Sequence, residues 1–229
     1  MQHVDSRRAR SQATQTALMH AAEKLIAERG MENVTIRDIV SAAGQKNESA
    51  LQYHFKNLTG LINAIHAQRA EEMRARRSEL LDALLASTPQ PSLRQACMLM
   101  VQPAFELARS KVDFRRYIKA FGHELVLAET SALTRASRRG GGGESGQRLA
   151  NLLKAALPHL DADAYRQRMD AAVRLCSASV YHQARQKNAF RGAQAELFLH
   201  SLIDAIVGLL SAPVSAETRA LIHSTTTRS

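Results

Sequence analysis

The sequence predicts an all-α protein, with an N-terminal three-helix unit that contains a helix-turn-helix and a larger helical body behind it. Three observations predict this. Apolar residues recur at three- and four-residue spacing along most of the chain. Glycines and prolines fall where those stripes stop. Thr35 and Asp38 stand at the spacing of a capping box, just ahead of one such stripe.

In chain order, Ala17, Leu18, Ala21, Ala22, Leu25 and Ile26 form a first stripe, stopped by Gly30. Thr35 takes the N-cap of a second helix, whose stripe is Ile36, Ile39, Val40 and Ala43. Gly44 follows where a left-handed residue ends a helix. After a tight turn, a third helix runs to Phe55 and carries two different faces. Ala50, Leu51, His54 and Phe55 fall on one side; Glu48, Ser49, Gln52, Tyr53 and Lys56 fall on the other. Three facing stripes can bury a small core together, which a lone helix pair could hardly do. His54 reads as a packing residue.

The body begins with a long helix over about 57–86, in which Leu61, Ile62 and Ile65 are separated from Leu80, Leu81, Leu84 and Leu85 by the run EEMRARR. That run is most simply a solvated face. Pro89 and Pro91 make 87–92 a turn, and a helix over 93–110 carries Met98, Val101, Phe105 and Leu107. Helices over 114–138 hold Phe121, Leu125 and Leu127. The run RRGGGGESG at 138–146 predicts a mobile loop, because glycine in a helix interior costs conformational entropy. It could gate an entrance or be a plain flexible excursion. A short helix over 149–157 ends at Pro158. Two longer ones finish the body, at about 162–187 with Asp161 as N-cap, and at about 194–211. The last is apolar around more than one face and must be covered on two sides. Covering it in a monomer is possible, while pairing with a two-fold mate gives a four-helix interface.

Composition excludes several classes. With 45% apolar and 23% charged residues the chain is globular rather than disordered. No run of about 18 apolar residues predicts a membrane span, and the N-terminus lacks the apolar core of a secretion signal, so the expected location is cytoplasmic. Cys97 and Cys176 are far apart and suggest neither a disulfide framework nor a zinc site. No cofactor or metal is expected, and no paired carboxylates or nucleophile-base set suggests an enzyme. The net charge of +10 fits a nucleic-acid partner, but residues 1–58 hold eight Lys or Arg against six Asp or Glu, a net of only +2. Arg7, Arg8 and Arg10 form a local basic arm that could reach phosphates or a minor groove, or could be a solubilising tail.

An inner apolar face with an outer face of hydrogen-bonding side chains suits a helix that reads the major groove of a double-stranded DNA operator. Gln52 and Asn47 carry amides that match adenine, and Ser49 can approach a base or a phosphate. Tyr53 offers a ring for a thymine methyl and a hydroxyl for a phosphate. Thr35, Arg37, Lys46 and Lys56 suit backbone positioning. Glu48 fits the positive end of the helix dipole better than the phosphates.

The runs AAEKLIAERGMENVTIRDIVSAAG and LQYHFKNLTGLINAI resemble the DNA-binding domain of the Tet repressor (TetR) family of bacterial transcriptional regulators. The resemblance covers about the first 65 residues, most specifically the 35–44 segment and Tyr53-His54-Phe55. The chain departs from the family at the turn Gly44-Gln45-Lys46-Asn47-Glu48, which carries one extra residue. Gln52 stands where the family has a phosphate-contacting tyrosine, and Leu58 where it has a lysine; Lys56 is the substitute. The resemblance implies a DNA-binding domain at 1–58, a helical effector-binding and dimerisation domain at 59–229, and a homodimer through the last two long helices.

A dimer would set two recognition helices at the spacing of a palindrome. The leading expectation is therefore a repressor released by a small, mostly apolar effector. Met98, Phe105, Tyr117, Phe121, Cys176 and Tyr181 are its expected pocket, with His123, Glu124 and Gln183 as polar contacts. The alternative is an architectural or partner-recruiting DNA-binding protein with a filled body and no effector.

Overall fold

The computed structural model describes residues 2–127 and 129–226, with side chains described over 8–221 apart from 128, 139 and 140. Among these residues all regular structure is helical. Helix α1 spans Gln2–Arg29, starting well before the first apolar stripe. No glycine or proline interrupts the chain before Gly30, so nothing stops the helix from propagating through the arginines. Residues 7, 8 and 10 are thus helical and not an irregular arm, with Arg8 and Arg10 exposed.

After a 3-10 turn at Met31–Asn33 comes α2, Ile36–Ala42. The capping box at its start is complete: Thr35 N donates to Asp38 Oδ2 at 3.0 Å, and Asp38 N donates to Thr35 Oγ1 at 3.2 Å. Its end is a Schellman motif around Gly44, at φ +68°. Gly44 N bonds Ser41 O at 3.0 Å and Gln45 N bonds Val40 O at 3.0 Å. Helix α3 follows at Ser49–Phe55, then α4 at Leu58–Ser87, capped by Asn57. Leu18, Ala22, Ile26, Ile39, Val40, Leu51 and Phe55 form the head's core, completed by Leu61 and Ile65 of α4.

The body comprises α5 (Leu93–Ser110), α6 (Val112–Phe121), a 3-10 turn (Gly122–Leu125), α7 (Ala132–Ala136), α8 (Gly143–Ala156), α9 (Ala162–Ala184), α10 (Gly192–Ser211) and α11 (Ala216–Thr226). Asp161 caps α9 as expected, accepting from Asp163 N and Ala164 N. Helix α11 lies beyond the last helix that periodicity marked.

Two expectations need correction. The glycine run is not an irregular loop: a π-helical turn at Ser137–Gly141 leads straight into α8. Its backbone is drawn so tight that a Cβ on Gly142 would stand 2.3 Å from Ser137 O, and one on Gly146 2.1 Å from Gly141 O. The glycines serve close approach. Second, EEMRARR is only partly a solvated face. Glu71 is exposed, while Arg77 is buried at 4% exposure and held against the glycine turn. Nearby Arg69, equally buried, pairs bidentately with Glu23 of α1 at 2.7–2.8 Å and with Glu72 at 2.7 Å, and Lys111 bonds Glu72 at 2.9 Å. Burial pushes the Glu23 carboxyl up, against the pull of Arg69 beside it.

Helix α10 is long and apolar enough, by composition, to cross a membrane. Leu199, Leu202, Ile203, Ile206 and Leu210 instead pack into the body's core, while Asp204 and Glu196 pair with Arg94 and Arg109 of α5. Its other face stays open, with Leu197 59% exposed.

Candidate nucleic-acid interface and body cavity

Helix α3 sorts its two faces by burial. Leu51 and Phe55 are inside, whereas Gln52 and Tyr53 project outward, Tyr53 at 83% exposure. His54 is half-buried, its Nδ1 3.2 Å from Gln15 Nε2 on α1, a packing position. Lys46, Asn47 and Glu48 lie ahead of the helix. Glu48 is its N-cap, with no side-chain capping bond. Asn47 does the capping: its Oδ1 accepts from Ser49 N at 3.2 Å and from the Ser49 hydroxyl. The Thr35 hydroxyl likewise donates to Asp38 at 2.6 Å. Three of the eight expected contact residues, Thr35, Asn47 and Ser49, therefore spend polar atoms on local bonds to neighbouring backbone and side chains. Arg37, Lys46, Gln52, Tyr53 and Lys56 form the exposed edge. Lys56, at the C-cap of α3, adopts φ +69°, a conformation that L side chains rarely take.

Behind the head, α4, α5, α6, α8 and α9 line a half-open cavity of about 410 Å³. Its walls are largely apolar, with Met73, Met100, Phe114, Ile118, Leu153 and Met169 among them. Of the nine expected pocket residues, Tyr117, Phe121 and Cys176 line it. The others do not. Phe105 is core, its ring 5.5 Å from that of Phe190 and beneath the Arg109 guanidinium at 4.6 Å. Met98 packs against the same core, half-buried. His123 and Glu124 line a separate depression with Leu127, Thr130 and Arg135. Tyr181 lies against His123 at 5.6 Å between ring centroids, and Gln183 is half-buried on α9 outside the cavity.

Sequence reasoning missed Met73 and Arg77, which stand one helical turn apart on one side of α4. Their spacing was the available signal, hidden among charges. Burial pushes both cysteine thiols up to about 12, so neither is a thiolate at neutral pH.

Helix α6 faces both regions. Tyr117 and Phe121 line the cavity, yet Phe121 also belongs to the head's core. His66 of α4 sits between, with Nδ1 3.1 Å from Tyr117 Oη and its ring 4.9 Å from Phe121.

An exposed helix-turn-helix carried on a hollow helical body defines a DNA-binding transcriptional regulator. Comparison with known families agrees. Residues 18–65 match the description "Bacterial regulatory proteins, tetR family", and residues 98–212 match "Tetracyclin repressor-like, C-terminal domain". The chain belongs to the tetR family of bacterial regulatory proteins. No curated protein matches it. A crystal structure described as a candidate transcriptional regulator from Streptomyces coelicolor A3(2) is similar at 18% identity, covering 87% of this chain and 99% of that one. Its TM-score is 0.44, too loose a likeness to carry an argument.

Proposed function

We propose that the chain is a ligand-responsive repressor, cytoplasmic and dimeric, which binds a palindromic operator and is released by a small effector. The head of residues 1–58 would read DNA, with the start of α4 completing its core; residues 59–229 would bind effector and dimerise. The observation that carries this reading is the cavity wall formed by Tyr117 and Phe121, because Phe121 also packs in the head's core and both rings lie against His66 of α4. A ligand that fits the cavity differently in two head positions shifts their populations by that difference in affinity. The open face of α10 supports pairing with a second copy through α9 and α10, since Leu197 would otherwise stay in water.

Gln52 and Tyr53 are assigned to base edges, and Arg37, Lys46 and Lys56 to phosphates. Thr35, Asn47 and Ser49 are assigned to holding the turn, with any DNA contact through atoms not used there. Genome-wide mapping of bound sites supplies the operator, and mobility-shift titration then tests the face. Gln52→Ala or Tyr53→Ala is expected to weaken operator binding by about 1–3 kcal/mol and relax its sequence preference. Lys46→Ala is expected to weaken all DNA binding alike and flatten its salt dependence. Parent-like binding by both classes of variant would refute the assignment.

A further inference from the structure

The head's excess charge sits where packing has no use for it. Residues 16–58 hold five Lys or Arg against five Asp or Glu, so they sum to zero. Residues 1–15 hold three arginines against one aspartate, a net of +2 that is the head's whole excess. These residues lie in the first turns of α1, which begins at Gln2, although the first buried side chain among those described is Leu18. At about 1.5 Å per residue, the stretch from Gln2 to Gln15 is about 20 Å long. Hydrophobic burial does not account for a helical extension of that length.

Its place is fixed by α3. Gln15 Nε2 lies 3.2 Å from Nδ1 of His54, the neighbour of the outward-facing Tyr53. The ties to the body and to α4 come later in α1, at His20 with Asp113 (3.3 Å) and at Glu23 with Arg69. Followed toward its N-terminus, α1 therefore passes those ties, then α3, and continues beyond. Arg8 precedes Gln15 by seven residues, about two turns, and so shares the side of α1 that meets α3. Arg8 and Arg10 are exposed and pair with no carboxylate among the described residues, whereas Arg74, Arg76, Arg94 and Arg109 each do. Exposed cations beside a DNA-reading helix suit phosphates, because neutralising a phosphate releases its counterions.

We propose that this extension of α1 contacts duplex DNA outside the half-site, with Arg8 and Arg10 on phosphates of the flanking turn. The inference rests on the head binding an operator through α3. Phosphate contacts carry no base preference, so the extension adds affinity and footprint length rather than specificity. Because the backbone is already helical, less freedom is lost on binding than from an irregular tail.

The test uses the full chain and fluorescence anisotropy with two duplexes, both built on the palindrome that genome-wide mapping supplies. One ends at the palindrome, and the other adds about 10 base pairs, one helical turn, on each side. The parent is expected to bind the longer duplex about tenfold more tightly at low salt. Arg8→Gln with Arg10→Gln is expected to abolish that difference and to lower the slope of log affinity against log salt by about 2 per protomer bound. Arg8→Lys with Arg10→Lys is expected to keep both, since a phosphate accepts either cation. Equal binding of the two duplexes by the parent overturns the extension's role while leaving operator recognition standing. A preference that survives the first double variant, or is lost in the second, overturns the phosphate contacts. Failure of the parent to bind either duplex overturns the operator reading, and this inference with it. Should the first double variant fail to fold by circular dichroism, the parent's two duplexes still decide.

Discussion

The head closes Leu18, Ile39, Leu51, Leu61 and Ile65 to complete burial and turns its polar chemistry outward; the body closes Met73, Phe114 and Met169 around a void and keeps a cation inside it. Both are made of helices with similar apolar stripes and both have a buried core, so the cavity in the body separates them more than composition does. A filled core has one arrangement, since every methylene is held by neighbours. A hollow one leaves its walls room to adjust to a guest. On the function proposed above, the filled part would present side chains at a fixed geometry and the part with the cavity would respond to a ligand.

The comparison is most sharply broken at the tie between the two regions. Glu23→Leu leaves buried Arg69 with Glu72 alone, and is expected to lower unfolding free energy by about 3 kcal/mol in urea titration. A change within about 0.5 kcal/mol would mean that the pair contributes little to joining α1 to α4. Next come two equal insertions. Ala22→Leu in the filled head is expected to destabilise by about 1–3 kcal/mol through overpacking. Ala104→Leu, on the cavity wall, is expected to be nearly neutral in the same measurement and to reduce the cavity's capacity for an apolar fluorophore. Equal losses from both would show that the body is as full as the head.

A smaller effect is expected at Lys56. Lys56→Gly relieves the positive φ and should raise stability by about 1 kcal/mol, while weakening binding to every DNA sequence. Gain in stability without loss of DNA affinity would separate Lys56 from the phosphates. The smallest expected effect is acid dependence at the α2 cap. Hydrogen bonds from Thr35 hold the Asp38 carboxyl below its usual range. A carboxyl lowered on folding contributes stability above its unfolded pKa of about 3.9 and loses it as pH falls through the folded value. The stability difference between the parent and Asp38→Asn should therefore shrink as pH drops below about 4; a difference constant down to pH 2 would refute that account.

Much of the head was legible because its signals are local. Thr35 with Asp38, the stripe through Ala43, and Gly44 each act within a turn of the helix, and each has its expected place. The body was legible only as helices. Which face of a helix lines a cavity depends on partners distant in sequence, so Tyr117, Phe121 and Cys176 were identified while Met98, Phe105 and Gln183 belong elsewhere. Arg77 was hidden because a charge inside a run of charges reads as solvated, and its burial is set by a glycine turn 65 residues away. The glycine run itself misled for a related reason. Glycine's entropy penalty argues against a helix, but here the missing Cβ is what lets the backbone close.

Helix α4 runs unbroken from Leu58 at the head to Arg77 at the cavity. At about 1.5 Å per residue that arm is about 28 Å long, so a tilt of about 5° at one end would carry the other sideways by about 2.5 Å. Adjustments too small to disturb the cavity's own packing would thus reach the far tip magnified, as at the end of a lever.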